Sequence, residues 1–161
     1  MIHIDNKLIQ VMLAKNLFFK GFLVVPFPRS GVSVIVHNGE KVLLIKRGKE
    51  PFKDHWSLPG GTQELGETLE ECAIREIKEE TSLDIKNLTF AAVRDRISRT
   101  EDGAIAYHSI LTTFMTNTFS GTPIAMDDAK DIGWFSLEEM SDLLTTPQTP
   151  QFIEEQLAKL K

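Results

Sequence analysis

The sequence predicts an α+β fold in which a mixed β-sheet lies between helices. Strand-like runs, alternating or continuously apolar, occur in both halves of the chain, and helical patterns with apolar residues three and four positions apart separate or follow them. The strands and helices do not alternate strictly, as they would in a parallel α/β sheet. A length of 161 residues with 42% hydrophobic residues is typical of one globular domain with a sizeable core.

The N-terminal region predicts an extension that packs on the main domain. Residues 5–20 have the apolar spacing of a short amphipathic helix, and Pro26 and Pro28 mark a break after it. The apolar stretch 18–27 also fits a dimer face or a membrane-surface patch, but packing on the main domain is the favoured interpretation. We therefore divide the chain into an extension at 1–28, a main domain at 29–146 and a C-terminal helix at 147–161.

The first two strands of the main domain predict a β-hairpin. Residues 31–37 contain alternating valines, and residues 41–47 contain a continuous apolar run. Asn38-Gly39 between them is a strong signal for a two-residue turn. The segment 49–61 that follows reads as a loop.

A helix is predicted to begin at Thr68, which has capping-box spacing with Glu71. Its buried stripe is predicted from the apolar positions, and its acidic residues are predicted to lie on a different face. The stripe comprises Leu69, Cys72, Ala73 and Ile77. The remaining predicted elements are strands at 88–98 and 104–117, a turn at 120–121, a strand near 132–135, a helix from about Ser136, and a last helix at 151–160.

Glu76, Glu79 and Glu80 fall within one turn of the predicted helix. Like charges at this spacing repel one another, so the cluster needs an explanation. A bound hard cation explains it, because carboxylates are preferred ligands of such ions. A solvated acidic helix face is the alternative. That alternative does not explain the Gly/Pro loop at 58–61, which forces a sharp approach into the helix.

The segment 61–83 resembles the Nudix box, the signature of the Nudix hydrolases. One position departs from the pattern, because Ser82 stands where the box has glycine; serine at this helix C-cap should cost roughly 1 kcal/mol if the left-handed conformation is kept. The resemblance implies the Nudix fold, a mixed sheet between helices (α/β/α) with the box as loop, helix and loop. The matching residues are Gly61, Glu67, Arg75, Glu76, Ile77, Glu79, Glu80 and Leu83.

The resemblance also implies a Mg²⁺ site, in which Mn²⁺ can substitute. It implies that Glu76 and Glu80 are direct metal ligands, that Glu79 binds a further ion or a bound water, and that the carbonyl of Gly60 is a ligand. It implies that Arg75 orients a box carboxylate. Glu67 stands near the positive end of the helix dipole, so a purely structural role is an equal alternative for it.

The catalytic residues suggested by the resemblance are Glu79, Glu80, Arg75 and Asp128. Asp128 is the candidate general base and Asp127 the next, although Asp is also a frequent turn residue and a box glutamate could serve instead. The candidate substrate-binding residues are Arg47, Arg94 and Trp56, with Arg96 on the same strand as Arg94. For the arginines a solvated or paired side chain is an alternative, and for Trp56 the alternative is core packing.

The function implied is Mg²⁺-dependent hydrolysis of a nucleoside diphosphate linked to another moiety, with ADP-ribose or a related nucleoside diphosphate sugar favoured. Asp127-Asp128-Ala129 followed by Trp134-Phe135 supports that preference. The alternatives are a nucleoside-triphosphate pyrophosphohydrolase that cleans the nucleotide pool and a non-catalytic nucleotide-sensing module. The complete set of box glutamates favours an enzyme over a sensor.

The net charge and the cysteine content limit which binding partners and which cellular compartment we expect. The net charge of −5 and the pI of about 5.4 argue against a nucleic-acid partner. Cys72 is the single cysteine, so no intramolecular disulfide can form, and no apolar run has the length needed to span a bilayer. We expect a cytoplasmic monomer or homodimer that binds a small nucleotide and no membrane.

Overall fold

A computed structural model describes residues 18–19, 22–23 and 27–160. The strands β1 (Phe18–Phe19) and β2 (Phe22–Leu23) pair with each other in antiparallel fashion. The predicted helix at 5–20 lies outside the described residues, except at Phe18–Phe19, where the chain is extended and the prediction is wrong.

The described chain contains eight further strands and three helices, and the predicted α+β class is confirmed. The strands are β3 (Arg29–Val36), β4 (Val42–Arg47), β5 (Trp56–Ser57), β6 (Asp84–Lys86), β7 (Thr89–Arg99), β8 (Ile105–Thr116), β9 (Thr118–Ser120) and β10 (Ala129–Phe135). The helices are α1 (Leu69–Thr81), α2 (Leu137–Met140) and α3 (Thr149–Ala158).

Two three-stranded sheets form the centre of the fold. In the order β3-β8-β7, β3 runs parallel to β8 and β7 runs antiparallel to it, so this sheet is mixed. In the order β10-β4-β5, both pairings are antiparallel. The strands β6 and β9 form a separate antiparallel ribbon.

The predicted hairpin between β3 and β4 is wrong, because the two strands belong to different sheets. They are joined by the predicted tight turn, where the Asn38 N–H donates to the Lys41 carbonyl at 3.1 Å, but they share only the bridge from His37 to Val42. Every residue from 32 to 36 is buried, including Ser33 between the valines. A strand buried on both faces must be covered on both faces, and β3 and β4 are each covered by core residues on both of their faces.

The core has two parts, on opposite sides of the strands. Toward α1, buried residues of β3 and β4 pack against the helix; toward α2 and α3, other residues of the same strands pack against those helices. This arrangement confirms the predicted α/β/α layering. The first part contains Val32, Val34, Val36, Leu43, Cys72, Ala73, Ile77, Leu83, Ile85 and Phe114, and the second contains Ile35, Val42, Leu44, Met115, Met140, Phe152 and Ile153.

The C-terminal helix begins slightly earlier than predicted. Helix α3 starts at Thr149, so Pro150 lies in its first turn, where a missing N–H leaves no intrahelical bond unmade.

The loop predicted at 49–61 contains the two-residue strand β5. Within the described part of the chain, no helix combines the length and the apolar character needed to cross a membrane.

Candidate active site

The acidic residues of the candidate site are carried by α1, whose ends follow the sequence prediction. The Thr68 hydroxyl accepts the Glu71 N–H at 3.2 Å, and the Glu71 carboxylate accepts the Thr68 N–H at 2.7 Å, which confirms the capping box. At the other end Ser82 has φ 64°, the left-handed conformation that favours glycine. The serine therefore keeps the expected cap geometry, and its N–H donates to the Lys78 carbonyl at 3.0 Å.

The loop before α1 is fixed against β3. The Val32 N–H donates to the Gly61 carbonyl at 2.9 Å, and the Val34 N–H donates to the Pro59 carbonyl at 3.0 Å. Gly60 has φ 142°, and a Cβ there would lie 2.3 Å from the Val32 carbonyl oxygen. Only glycine fits this position, and the fit brings the Gly60 backbone next to Glu80.

Glu80 is buried, with 6% of its surface exposed. Its carboxylate accepts the Gly60 N–H at 2.8 Å. The sequence prediction placed Glu80 away from the buried stripe, and this is wrong, because residue 80 follows the buried Ile77 by three positions and therefore shares its side of the helix. The burial of a carboxylate with a single N–H donor is the feature that a solvated acidic face would not produce.

Burial raises the pKa of the Glu80 carboxyl to about 8, and the Gly60 N–H opposes the rise. The negative charges of Glu76 and Asp128 raise this pKa further, whereas the positive charge of Arg47 lowers it. Four of the residues named from the sequence, Glu76, Glu80, Arg47 and Asp128, are therefore close enough to interact electrostatically. Among residues 27–160, no cationic side chain lies within ion-pair distance of Glu80 itself.

The metal-free protein should lose stability as the pH rises toward 8. The folded pKa of Glu80 lies above its ordinary value of 4.5, so the folded state holds this proton more tightly than the unfolded state. Protonation of Glu80 therefore stabilises the folded state fully below about pH 4.5, and this stabilisation is lost as the pH rises through about 8. Between these two values the free energy of unfolding falls by up to roughly 1.4 kcal/mol per pH unit. Urea unfolding in EDTA should show this slope in the wild type and not in Glu80→Gln; equal slopes in both proteins would contradict it.

Arg75 connects three carboxylates. Its Nε and Nη2 donate to the two oxygens of Glu67 at 3.1 and 2.7 Å, and its Nη1 donates to Glu76 at 2.9 Å and to Glu79 at 3.0 Å. The bidentate contact with Arg75 lowers the pKa of Glu67 to about 2. Of the two interpretations left open for Glu67, this geometry favours positioning of Arg75 over interaction with the helix dipole alone.

Glu76 is held between Arg75 and the backbone of Gly61. Its side chain is 14% exposed, and burial raises its pKa while Arg75 opposes the rise. A Cβ at Gly61 would lie 2.3 to 2.4 Å from the Glu76 carboxyl atoms. Because Gly61 has no side chain, the Glu76 carboxylate can occupy this position.

Gly61→Ala should reduce activity by about 100-fold while leaving the protein folded. The three atoms nearest to the new methyl all belong to the Glu76 carboxyl group, the far end of a flexible side chain that can turn aside at small cost in stability, but a displacement of about 1 Å at a reacting centre can cost 100-fold in rate. Thermal melting and kcat/KM measure the two effects. Because both changes act on the same carboxylate, adding Gly61→Ala to Glu76→Gln should cause little further loss; full additivity would contradict the assigned contact.

The donor chemistry of the site fits a hard divalent cation. The candidate ligands are carboxylates, and Glu80 is buried without a cationic side chain within ion-pair distance among residues 27–160. In the same part of the chain, no three acidic, histidine or cysteine side chains already converge as a formed cage. The hydrogen bonds from Arg75 hold the carboxylates of Glu76 and Glu79 against the guanidinium group.

Asp128 lies beside the C-terminal end of α1. The loop before it is held by the helix, since the Met126 N–H donates to the Glu80 carbonyl at 3.1 Å. The Asp128 side chain forms an ion pair with Lys49, which raises the pKa of the lysine. The sequence analysis missed Lys49, whose only signal is a positive charge two residues beyond Arg47.

The three predicted substrate-binding residues have different surroundings. Arg47 ends β4 and donates from Nε to the Pro51 carbonyl at 2.9 Å. The guanidinium of Arg94 lies 3.3 Å from the centre of the Phe152 ring. Trp56 packs edge to face against Phe135 at 4.8 Å, at the margin of the core. The structure therefore favours packing for Trp56, the alternative that the sequence left open.

Comparison with known proteins points to one family. The family model of the NUDIX domain matches residues 27–156. An ADP-ribose pyrophosphatase from Methanocaldococcus jannaschii is 37% identical over 131 residues, which cover 81% of this chain and 75% of the relative. Among solved structures, a MutT NUDIX hydrolase from Burkholderia pseudomallei aligns with a TM-score of 0.71 at 28% identity, covering 80% of this chain and 97% of that chain.

A second solved structure is similar to nearly the whole chain. It is a bifunctional NMN adenylyltransferase/ADP ribose pyrophosphatase from Francisella tularensis, complexed with AMP and a Mn ion. The alignment has a TM-score of 0.66 at 27% identity and covers 94% of this chain. The chain spans 47% of that longer protein, so the likeness concerns one of its parts.

Proposed function

Since this chain belongs to the Nudix hydrolase family, we propose that it is a Mg²⁺-dependent pyrophosphohydrolase that cleaves a nucleoside diphosphate linked to a second moiety. The supporting observation is Glu80, a buried carboxylate beside Gly60 with no cationic partner among the described residues. ADP-ribose is the favoured substrate, because a relative with 37% identity is an ADP-ribose pyrophosphatase. Mn²⁺ is the expected substitute for Mg²⁺.

The proposed metal ligands are Glu76, Glu80 and the Gly60 carbonyl, with Glu79 for a further ion or a bound water. When bound, the ion would lower the pKa of a water, neutralise phosphate oxygens and align the attack on phosphorus. Arg75 would hold Glu76 and Glu79 in position through its guanidinium hydrogen bonds, as it does in this structure. The side chains thus need to supply only positioning and charge.

Two carboxylates are candidates for receiving the proton of the attacking water. Burial raises the pKa of Glu80 to about 8 in the absence of an ion, and a bound cation would favour its ionised form, the form that can accept a proton. Asp128 is paired with Lys49, and this ion pair competes with a role as base. We therefore retain Asp128 as a proposed base whose release from Lys49 would accompany substrate binding, and Glu80 as the alternative.

A nucleoside triphosphate is the second candidate substrate. It is supported by Arg94 and Arg96, two half-buried arginines of β7 whose positive charges would suit a further phosphate group. The two candidates give different products: a nucleoside monophosphate with a sugar phosphate from ADP-ribose, and a nucleoside monophosphate with pyrophosphate from a triphosphate.

Product analysis over a substrate panel tests the proposal. ADP-ribose, a UDP-sugar and a set of nucleoside triphosphates would be incubated with the protein in Mg²⁺, in Mn²⁺ and in EDTA. We expect AMP and ribose 5-phosphate from ADP-ribose in either metal, and no product in EDTA. Turnover that persists in EDTA would contradict metal dependence, and a complete lack of turnover with bound nucleotide would favour the sensing alternative.

A further inference from the structure

Arg94 and Arg96 form an unusual pair on β7. They are two residues apart with no bulge between them, so their side chains leave the same face of the sheet about 7 Å apart. Both are half-buried, and they face the side of the sheet on which α3 packs, because Arg94 lies over Phe152. Two guanidinium groups are thus held side by side in partial isolation from water.

Neither arginine forms an ion pair in the described part of the chain. Within residues 27–160, no Asp or Glu oxygen lies within the 4.0 Å ion-pair distance of Arg94 or Arg96, and neither side chain donates a hydrogen bond to the protein. The Nε of Arg94 is fully buried and without a partner in this part of the chain. Arg75, by contrast, is satisfied by its hydrogen bonds with carboxylates. A buried N–H without an acceptor is costly, and an anion bound at the pair would supply the acceptor for the Nε of Arg94.

The pair also lies across the sheet from the loop of the candidate site, because Arg94 pairs with Leu111, Leu111 pairs with Gly31, and Gly31 forms a bridge with Thr62. Thr62 directly follows the Gly60-Gly61 loop that contacts Glu80 and Glu76, so the pair and the candidate site lie on neighbouring parts of the fold. Burial lowers the pKa of both arginines; the positive charge of Arg47 adds to the effect on Arg96, which Tyr107 opposes, and that of Arg96 adds to the effect on Arg94, which Glu155 opposes.

We infer that Arg94 and Arg96 form a second anion subsite, which binds a phosphate group of the substrate other than the one attacked beside Glu80. The inference rests on the proposed function for the location of the attacked phosphate. The flat guanidinium groups can present paired N–H donors to phosphate oxygens, and Phe152 holds Arg94 in place from the opposite side. The bound group is either the second phosphate of a nucleoside diphosphate sugar or the terminal phosphate of a triphosphate.

The first test measures binding without turnover. Isothermal titration in EDTA would compare inorganic pyrophosphate and tripolyphosphate on the wild type and on Arg96→Gln. We expect binding to the wild type and a loss of about tenfold in affinity in the variant, the size of one charge-assisted hydrogen bond. The matched control is Arg99→Gln, which removes an exposed charge from the same strand and should leave both affinities unchanged.

An equal loss in Arg96→Gln and Arg99→Gln would show a general charge effect and would overturn the subsite, as would no binding of either anion. Because this assay needs neither metal nor catalysis, its failure is separate from failure of the proposed function. A near-native melting temperature for Arg96→Gln shows that the loss is not due to unfolding. Arg94 is a poorer first choice, since its removal also breaks the contact with Phe152.

The second test identifies which phosphate is bound. Arg96→Gln should raise KM more than it lowers kcat, because the contact is to a group that is not attacked. An equal loss of kcat/KM for ADP-ribose and for triphosphates would assign the second phosphate to the subsite. A loss confined to triphosphates would assign the terminal phosphate. An unchanged kcat/KM for every substrate turned over would overturn the inference.

Discussion

Glu80→Gln should reduce turnover by at least about 100-fold while the protein remains folded. The proposed roles of Glu80, as a ligand of the cation and as an alternative base, both require a carboxylate, and loss of a general base alone costs about 10²- to 10⁴-fold. The amide has nearly the same shape and can still accept the Gly60 N–H, which the carboxylate accepts at 2.8 Å. Catalysis and packing are therefore expected to separate in this variant.

Stability gives this prediction a second readout. Burial of the Glu80 charge is unfavourable, as its pKa of about 8 indicates, and a neutral amide avoids that cost above pH 8. The metal-free variant should thus melt at a temperature equal to or above that of the wild type at alkaline pH. It should also lose the rise in melting temperature that Mg²⁺ causes by binding to the folded state.

The matched control is Glu70→Gln on the same helix. Glu70 is exposed, so its charge removal should change neither turnover nor the Mg²⁺ effect. Near-normal activity of Glu80→Gln would contradict the assigned role of Glu80. A loss of the same size in Glu70→Gln would point instead to a general effect of the acidic helix.

Local rules were sufficient to predict α1 and its ends. The Thr68 cap depends on two side chains three residues apart, and the left-handed Ser82 depends on the end of the helix, so both follow from short-range sequence. The long strands β7 and β8 were likewise found close to their predicted positions. These features need no knowledge of distant contacts.

The properties of the site that depend on tertiary contacts were not predictable. The burial of Glu80 requires the loop at Gly60 to fold against β3, and the pairing of Asp128 with Lys49 joins residues far apart in sequence. The separation of β3 and β4 into two sheets accompanies burial on both faces, which an alternating pattern of valines conceals. Residue types therefore indicated the chemistry, but their charges and orientations came from the fold.

Arg75→Gln should lower Mg²⁺ affinity or activity by about 10- to 100-fold, the usual effect of removing a group that orients metal ligands. Without the guanidinium, the carboxylates of Glu67, Glu76 and Glu79 lose their common partner and repel one another. The pKa of Glu67, about 2 in the wild type, should then rise. Activity titrated against Mg²⁺ should show a higher metal requirement.

Arg75→Lys separates charge from geometry at this position. Lysine keeps the positive charge but cannot make the bidentate contact with Glu67 while also donating to Glu76 and Glu79, so rescue should be partial. Lys78→Gln is the control, because it removes a charge on α1 that forms an exposed pair with Asp84. Full activity in Arg75→Lys would show that charge alone suffices and would contradict an orienting role; an equal metal requirement in Arg75→Gln and the wild type would exclude Arg75 from the site's function.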